Sequence, residues 1–582
     1  MSPIGMIRQA LLLCLSSILL IACGGGDGSS TGPTDTPPPT VLAQTPSTRL
    51  LGDFDVITLT FSESMDTGSY SLGGNLAAES NGGVWSQTNV INDTLTIAPQ
   101  PNWPANTNRT LIINVNDLAG NALPTLTLTH DVYRGVAYYV NEHMPNDLLD
   151  GMTPTRAKRT IMSAVDAATA PATVFVQSGL YRVAVGGPER VVLKEGVSLY
   201  GGYNADFTER VPGDSIIWDY SSFTTTQSNP NFAVLGNAGI TSATLLDGFT
   251  LQGTNDDSSY TAGLRLRDGA APTVQNNRIG GGGGGGSSAA SYGVYIQHGE
   301  TSVIQNNTID GGTGRSSTAI IHQGSPLSSL VLQHNSINGG AVDNSVGIEL
   351  LGGSTVVRHN TIFGGSALND TNGIRVSSGV HSIENNLIHA GRGATSTGIS
   401  NTQANISARN NTVHGGNGNT RAVALKFSYS NIIGSGFEIQ NNIIMTQHPD
   451  GICIHSTWAW PPAHNVFHCS GALYQNNTTT YLGLNNAGNL TTNADGTGAE
   501  FSPAGSNNLA IDPLLADIDG PDNNIHTMAD NDWRLSAATP ASVIAGGLNG
   551  IDEGWSFTTD KDGVTRPASG TPWSIGAYEP TP

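Results

Sequence analysis

The chain has 582 residues, of which 12% are charged, and its formal net charge is −21. So acidic a chain lacks the basic patches that nucleic acid demands, which excludes that partner and suits an exposed surface protein, here read as a monomer. Gly alone numbers 73, and Asn, Thr and Ser are abundant. That composition suits a turn-dense all-β chain and excludes a helical enzyme.

The first element is a leader, MSPIGMIRQALLLCLSSILLIACGGG. Arg8 supplies a positive start, and the apolar stretch 10–20 is too short to span a bilayer. Leu20-Ile21-Ala22-Cys23 resembles the lipobox of bacterial lipoproteins, in which the Cys thiol is acylated and becomes the first residue. An ordinary signal peptide with an incidental Cys is the alternative. The resemblance implies that residues 1–22 are removed and that a lipid on Cys23 is the only membrane contact. Gly24 rather than Asp after the Cys favours the outer membrane. Loss of Arg8 takes the charge from −21 to −22. Cys453 and Cys469 then remain for a disulfide, which that compartment permits; two separate thiols are the alternative.

Residues 23–45 are rich in Gly, Ser, Thr and Pro, cannot bury a core, and read as a disordered tether. Over 46–132, "DVITLTFSESMDTGSYSL", "DTLTIAP" and "RTLIINVND" alternate apolar and polar residues with period two. Short strands spaced by Asn, Gly and Pro predict a small sandwich. Leu59 to Asp66, Trp103-Pro104 and Asn116 to Leu123 resemble the bacterial Ig-like domain of the S-layer type, whose members are spacers or weak binders.

The third region, 133–475, opens on a helix predicted to be capped by Thr153 and opened by Pro154. Ile161, Ala164, Val165 and Ala168 form its apolar face, fit to cover an open sheet end. A repeat follows, as in "SVIQNNTIDGG", "TVVRHNTIFGG" and "ISARNNTVHGG". Its second Asn falls at 277, 307, 335, 360, 386, 411, 442 and 465. Aliphatics sit two residues after each Asn and, in all but the last copy, three before. A second column, Gly263, Gly293, Ala319, Gly347, Gly373, Gly398, Ala424 and Gly451, precedes in-out-in triplets such as "LRL" and "VYI". A period near 27 with two or more strands and no helix predicts a β-solenoid. The Asn residues tolerate a left-handed turn and bond to their copies above and below, a structural and not a catalytic role. The run Gly280 to Gly286 lacks the helix and Lys of a phosphate loop and reads as a loop tip.

The region resembles the right-handed parallel β-helix of the pectin-lyase type. The opening "VVLKEGVSLYGGYNADFTER" and the stretch from "DWRLSAATP" to "WSIGAYEP" resemble bacterial surface β-helix proteins carrying a domain of unknown function. Residues 476–582 are accordingly read as closing coils and a C-terminal cap. The expected fold is all-β, a right-handed parallel β-helix preceded by a small Ig-like β-sandwich.

Function on such a fold lies on outward residues. One predicted stripe is Arg265, Tyr295, Ile321, Glu349, Arg375, Ser400, Lys426 and Cys453; a second is Gln275, Gln305, Gln333, Arg358, Glu384, Arg409 and Gln440. Tyr295, Glu349, Arg358, Glu384 and Arg409 are candidate polysaccharide-binding residues, against a solvated face of cross-coil ion pairs worth little each. The resemblance implies surface glycan binding or adhesion. It also implies polysaccharide lyase or hydrolase chemistry, in which Arg375 or Lys426 would be the base and Ca²⁺ the cofactor. One Glu on the stripe is a poor Ca²⁺ site, and the adjacent pair Asp256-Asp257 is the candidate for a hydrolase's paired acids. His389 with His414, and the Ca²⁺-loop-like spacing of "DIDGPDNN" at 517–524, are weaker metal candidates.

Overall fold

The computed structural model describes residues 37–580 apart from 184–189, 221–225, 228–229, 256–259, 285–289, 299–300, 429–437, 458–461, 476–478, 485–488 and 498–506. The chain is nearly all β: a sandwich followed by a parallel β-helix.

The sandwich consists of two four-stranded sheets. Ile57–Phe61 buries every second residue, as its alternation predicts. Leu59, Phe61, Leu95 and Ile97 of one sheet meet Leu111 and Ile113 of the other, with Trp103 sealing the core. Val41–Thr45 pairs antiparallel with Ile57–Phe61, so the sheet begins inside the stretch read as tether. A seam of hydrogen bonds joins the sandwich to the first coils. Buried Asp131 accepts from Arg49 Nε at 2.8 Å and from the Tyr203 hydroxyl at 2.9 Å.

The capping helix is shorter than its sequence pattern predicts. It spans Ile161–Ala167, and Thr160 caps it by accepting the Ser163 N–H at 3.3 Å. Pro154–Arg156 is a separate 3-10 turn, so Thr153 does not cap the helix. The reason is tertiary. Asp147 Oδ1 takes the N–H groups of Arg159 and Thr160, which holds that segment extended. The predicted face is right: Ile161, Ala164, Val165 and Ala168 close the end of the solenoid core.

Each coil then contributes a strand to three parallel sheets. One coil comprises Thr261–Arg267, Thr273–Gln275 and Arg278–Gly280. Leu264, Val294, Ile320, Ile348, Ile374, Ile399, Leu425 and Ile454 form one inward column. Val274 to Ile439 and Ile279 to Phe467 supply the other two, and all are buried.

The repeating Asn sits at the bend between the second and third sheets. Asn307 Oδ1 accepts the Asn277 backbone N–H at 2.9 Å and its Nδ2 at 3.1 Å, and the pattern recurs up the stack. Each Nδ2 also donates to a carbonyl one coil back, as Asn386 does to Val357 at 2.7 Å. The two roles predicted for one residue fall on two. The left-handed conformation belongs to the preceding residue, with φ 55° at Asn306 and 52° at Asn385, while the ladder residue is buried. The small pair after the third strand is required at Gly339-Gly340. A Cβ on Gly339 would lie 2.3 Å from the Gly364 carbonyl, and Gly340 has φ +103°. The glycines at 280–284 belong to the equivalent turn: Gly283–Gly284 pairs with Thr313–Gly314, so the described part of that run is stacked sheet and not a free tip.

The C-terminal region does not simply add closing coils. Leu509–Ala510 extends the third sheet, and Asn508 prolongs the Asn ladder by accepting the Asn465 N–H at 3.0 Å. From there the chain turns back along the outside of the solenoid. Trp533, Val543, Ile575 and Ala577 bury Leu387, Ile443, Met445 and Val466, the outward side chains of the third sheet. Buried Arg566 donates to Asn385 Oδ1 at 2.6 Å across 181 residues and is ion-paired with Glu579.

Candidate functional site

The outward column of the first sheet runs in register as Arg265, Tyr295, Ile321, Glu349, Arg375, Ser400 and Lys426. Its start is closed. Arg265, Tyr295 and Ile321 are all buried. Tyr295 packs 5.1 Å from the Tyr292 ring and donates its hydroxyl to Gln323 at 3.0 Å, so it offers no open stacking face.

Glu349 and Arg375 follow on adjacent coils. Arg375 Nη2 lies 2.7 Å from Glu349 Oε1, with side-chain exposures of 38% and 13%. The pair lines a cleft of about 420 Å³ together with Tyr260, Tyr292, Arg315 and Asn344. Arg315 is held by Asp343 at 3.2 Å. Burial pushes the Tyr292 phenol far above its ordinary range, with the neighbouring Tyr295 adding to it, so Tyr292 stays neutral and can donate a hydrogen bond.

Tyr260, Tyr292 and Arg315 were not legible as site residues. Tyr292 precedes the Gly column, outside the in-out-in triplet. Gly293 brings the chain so close to the next coil that a Cβ would lie 2.6 Å from the Ala319 carbonyl. The chain bends there, and Tyr292 joins the outward side.

Lys426 is not in this cleft. It stands two coils beyond Arg375, about 10 Å along the stack. Its register neighbour is His455, not Cys453. Cys453 occupies the column of Ala424, is buried, and is bonded to Cys469 with an S–S distance of 2.04 Å. The alternation of Ile452 and Ile454 suits registers two residues apart, so sequence periodicity could not choose between them. Burial, with the charges of Arg421 and Lys426, pushes the His455 imidazole down to about 4.

The second stripe lies on another face and is half-buried apart from Gln275 and Glu384, which are buried. Gln275 donates to Asp247, Gln305 to Gln275 and Gln333 to Gln305, at 2.7, 2.9 and 2.7 Å. Arg358 donates to Gln333 at 2.8 and 2.9 Å. Arg409 bridges Glu384 and Glu438 beneath the Trp555 ring, 5.2 Å from its centroid. Glu384 is 1% exposed. Thus Arg358, Glu384 and Arg409 do not converge with Glu349 and Arg375, and the returning C-terminal segment covers Glu384.

The same segment covers His389 and His414. Their rings stack at 4.8 Å and 11° under the edge of Trp533. Each Nδ1 accepts a backbone N–H, from Gly391 and Gly416. The acids of 517–524 hold turns: Asp517 accepts the Gly520 N–H and Asp522 the Asn524 N–H. Among the described residues, no group of three or more His, Cys, Asp and Glu converges as metal ligands. Asp256, Asp257 and Cys23 lie outside the described residues.

The bacterial Ig-like domain family matches residues 35–130, and the right-handed β-helix region matches 217–388 and 262–435. No curated protein matches the chain. The solved complex of XylC with xylose aligns over 76% of this chain and 98% of its own, at 12% identity and a TM-score of 0.39. A rhamnogalacturonan lyase aligns over 52% and 84%, at 12% identity and a TM-score of 0.24. The catalytic unit of a GH87 α-1,3-glucanase from Streptomyces thermodiastaticus aligns over 72% and 88%, at 11% identity and a TM-score of 0.23. The two family matches, with the stacked parallel sheets and the preceding sandwich, make this chain a right-handed parallel β-helix protein with an N-terminal bacterial Ig-like domain.

Proposed function

We propose that this is a bacterial surface protein that binds polysaccharide in the first-sheet cleft and is anchored to the outer membrane by lipid on Cys23. The observation that carries the binding reading is the Glu349–Arg375 pair set beside Tyr260 and Tyr292 in one cleft. A carboxylate beside a guanidinium presents acceptors and donors to sugar hydroxyls, while phenol rings give an apolar body with a polar tip. Arg375 is already tied to Glu349 and stands apart from Lys426, which favours binding over cleavage.

Glu349→Gln with Arg375→Ala should weaken retention on an insoluble polysaccharide at least tenfold. The melting temperature should shift little, because a partly exposed ion pair contributes less than about 1 kcal/mol. Full retention by the double variant on every polysaccharide that holds the parent would remove the cleft from the argument. The anchor has its own test. Cys23→Ser should move the protein from the membrane to the soluble fraction, and unchanged membrane retention would sink the lipoprotein reading.

A further inference from the structure

Among the described residues, the returning C-terminal segment meets the third sheet from Phe363 onward and does not pack on its first coils. On those coils Arg182, Trp218 and Gln252 stand in register on the outward side. Arg182 is exposed and Trp218 half-buried. The Trp218 and Tyr220 rings lie 4.6 Å apart, Tyr220 is 43% exposed, and the Arg182 guanidinium sits 5.0 Å above the Tyr220 ring. An aromatic pair left in solvent on a sheet face loses the burial that would stabilise it elsewhere.

Arg182 also lines a cleft of about 670 Å³ formed with the loop before the capping helix. Arg159 lines it as well. The two acids there are engaged by backbone. Glu142 Oε1 accepts the Leu180 N–H at 3.0 Å, and Asp147 Oδ1 accepts the N–H groups of Arg159 and Thr160 at 2.7 and 2.9 Å. Arg156, three residues before Arg159, is ion-paired with Asp150. Among the described residues neither Arg159 nor Arg182 forms an ion pair with a carboxylate. Arg159 and Arg182 share this cleft with Glu142 and Asp147 but ion-pair with neither, so in a chain with a net charge of −21 both guanidiniums can turn their donors to an anion from outside.

We propose that this end of the third sheet is a second saccharide site, separate from the first-sheet cleft, and that its ligand is an anionic polysaccharide. Arg159 and Arg182 take a carboxylate or sulfate carried on one sugar. The next ring along the solenoid axis stacks on Trp218 and Tyr220, and Gln252, one coil further, meets its hydroxyls.

Titration of the full chain with polygalacturonate, dextran sulfate and neutral xylan tests this by calorimetry. Binding of either anionic polymer, weakened by salt and weakened at least tenfold in Arg159→Ala with Arg182→Ala, supports the site. Polygalacturonate alone assigns the carboxylate; dextran sulfate alone assigns the sulfate. Trp218→Ala should weaken the same polymer, and circular dichroism melts must show both variants folded. The loss caused by Arg159→Ala with Arg182→Ala should persist in a chain that also carries Glu349→Gln and Arg375→Ala, which separates this site from the first-sheet cleft. Binding of neither anionic polymer, xylan binding as tight as theirs that is likewise lost with both arginines, or affinity for the anionic polymers untouched by the loss of both arginines would each overturn the proposal.

Discussion

Replacing Asn386 by Leu should destabilise the β-helix on the order of 4 kcal/mol. Asn386 Oδ1 accepts the Asn360 backbone N–H at 3.0 Å and its Nδ2 at 3.1 Å. Its own Nδ2 donates to the Val357 carbonyl at 2.7 Å and to Asn411 Oδ1 at 3.0 Å. Leu satisfies none of these, and both Asn386 and Asn360 are fully buried. Each orphaned buried group costs roughly 1–3 kcal/mol, and adjacent coils share the loss because a solenoid is held together by neighbour contacts. Thr308→Ala, on the exposed outer side of the third sheet, should cost less than about 0.5 kcal/mol. Urea melts of the two variants measure the contrast. Equal losses would mean that the ladder does not stabilise the coils.

Acid should unfold the chain well before its carboxylates alone would require. His322, His359 and His414 are buried, and burial pushes their imidazoles down to about 4, 3 and 3. Like charges add to this: His381 for His322, His334 for His359, His526 for His414. Burial also pushes His389, stacked on His414, well below the ordinary value. In the unfolded chain these rings protonate near the usual 6.5. Their contribution is therefore fully present above pH 6.5 and is lost as the pH falls from there towards 3–4. At pH 5 each of the first three costs roughly 2 kcal/mol, because the unfolded ring gains a proton and the folded one does not. Melting temperatures between pH 7 and 4 should fall steeply. His414→Met, which repeats the Met445 found one coil on, should cost stability at pH 7 by losing the Gly416 N–H acceptor and should flatten the acid slope. A slope unchanged in that variant would mean that His414 titrates normally in the folded protein.

Much of the architecture could be read one repeat at a time. The Asn column, the aliphatics two residues after and three before it, and the period-two strands of the sandwich all occupy the places their spacing demands. A parallel stack makes each coil's environment a copy of the last, so local periodicity already contains the tertiary contact. Where two registers kept the same alternation, as at Cys453, periodicity could not separate them. The capping helix failed in the same way: its apolar face is correct, but its start was decided by Asp147 holding the Arg159 and Thr160 amides.

Outward faces are a different matter. Glu349 and Arg375 were legible as neighbours because adjacent coils are adjacent in space. Nothing in the repeat indicates that Tyr295 is closed in, or that Glu384, His389 and His414 lie under a segment more than a hundred residues away. That segment has no repeat, and its contacts, such as Arg566 with Asn385, follow from side-chain packing across 181 residues. The sequence by itself determined the inside of the solenoid, because inward burial recurs with every coil. Only the tertiary structure decided which outward surface remains for a ligand, because covering a face depends on where a non-repeating chain finds apolar area to bury.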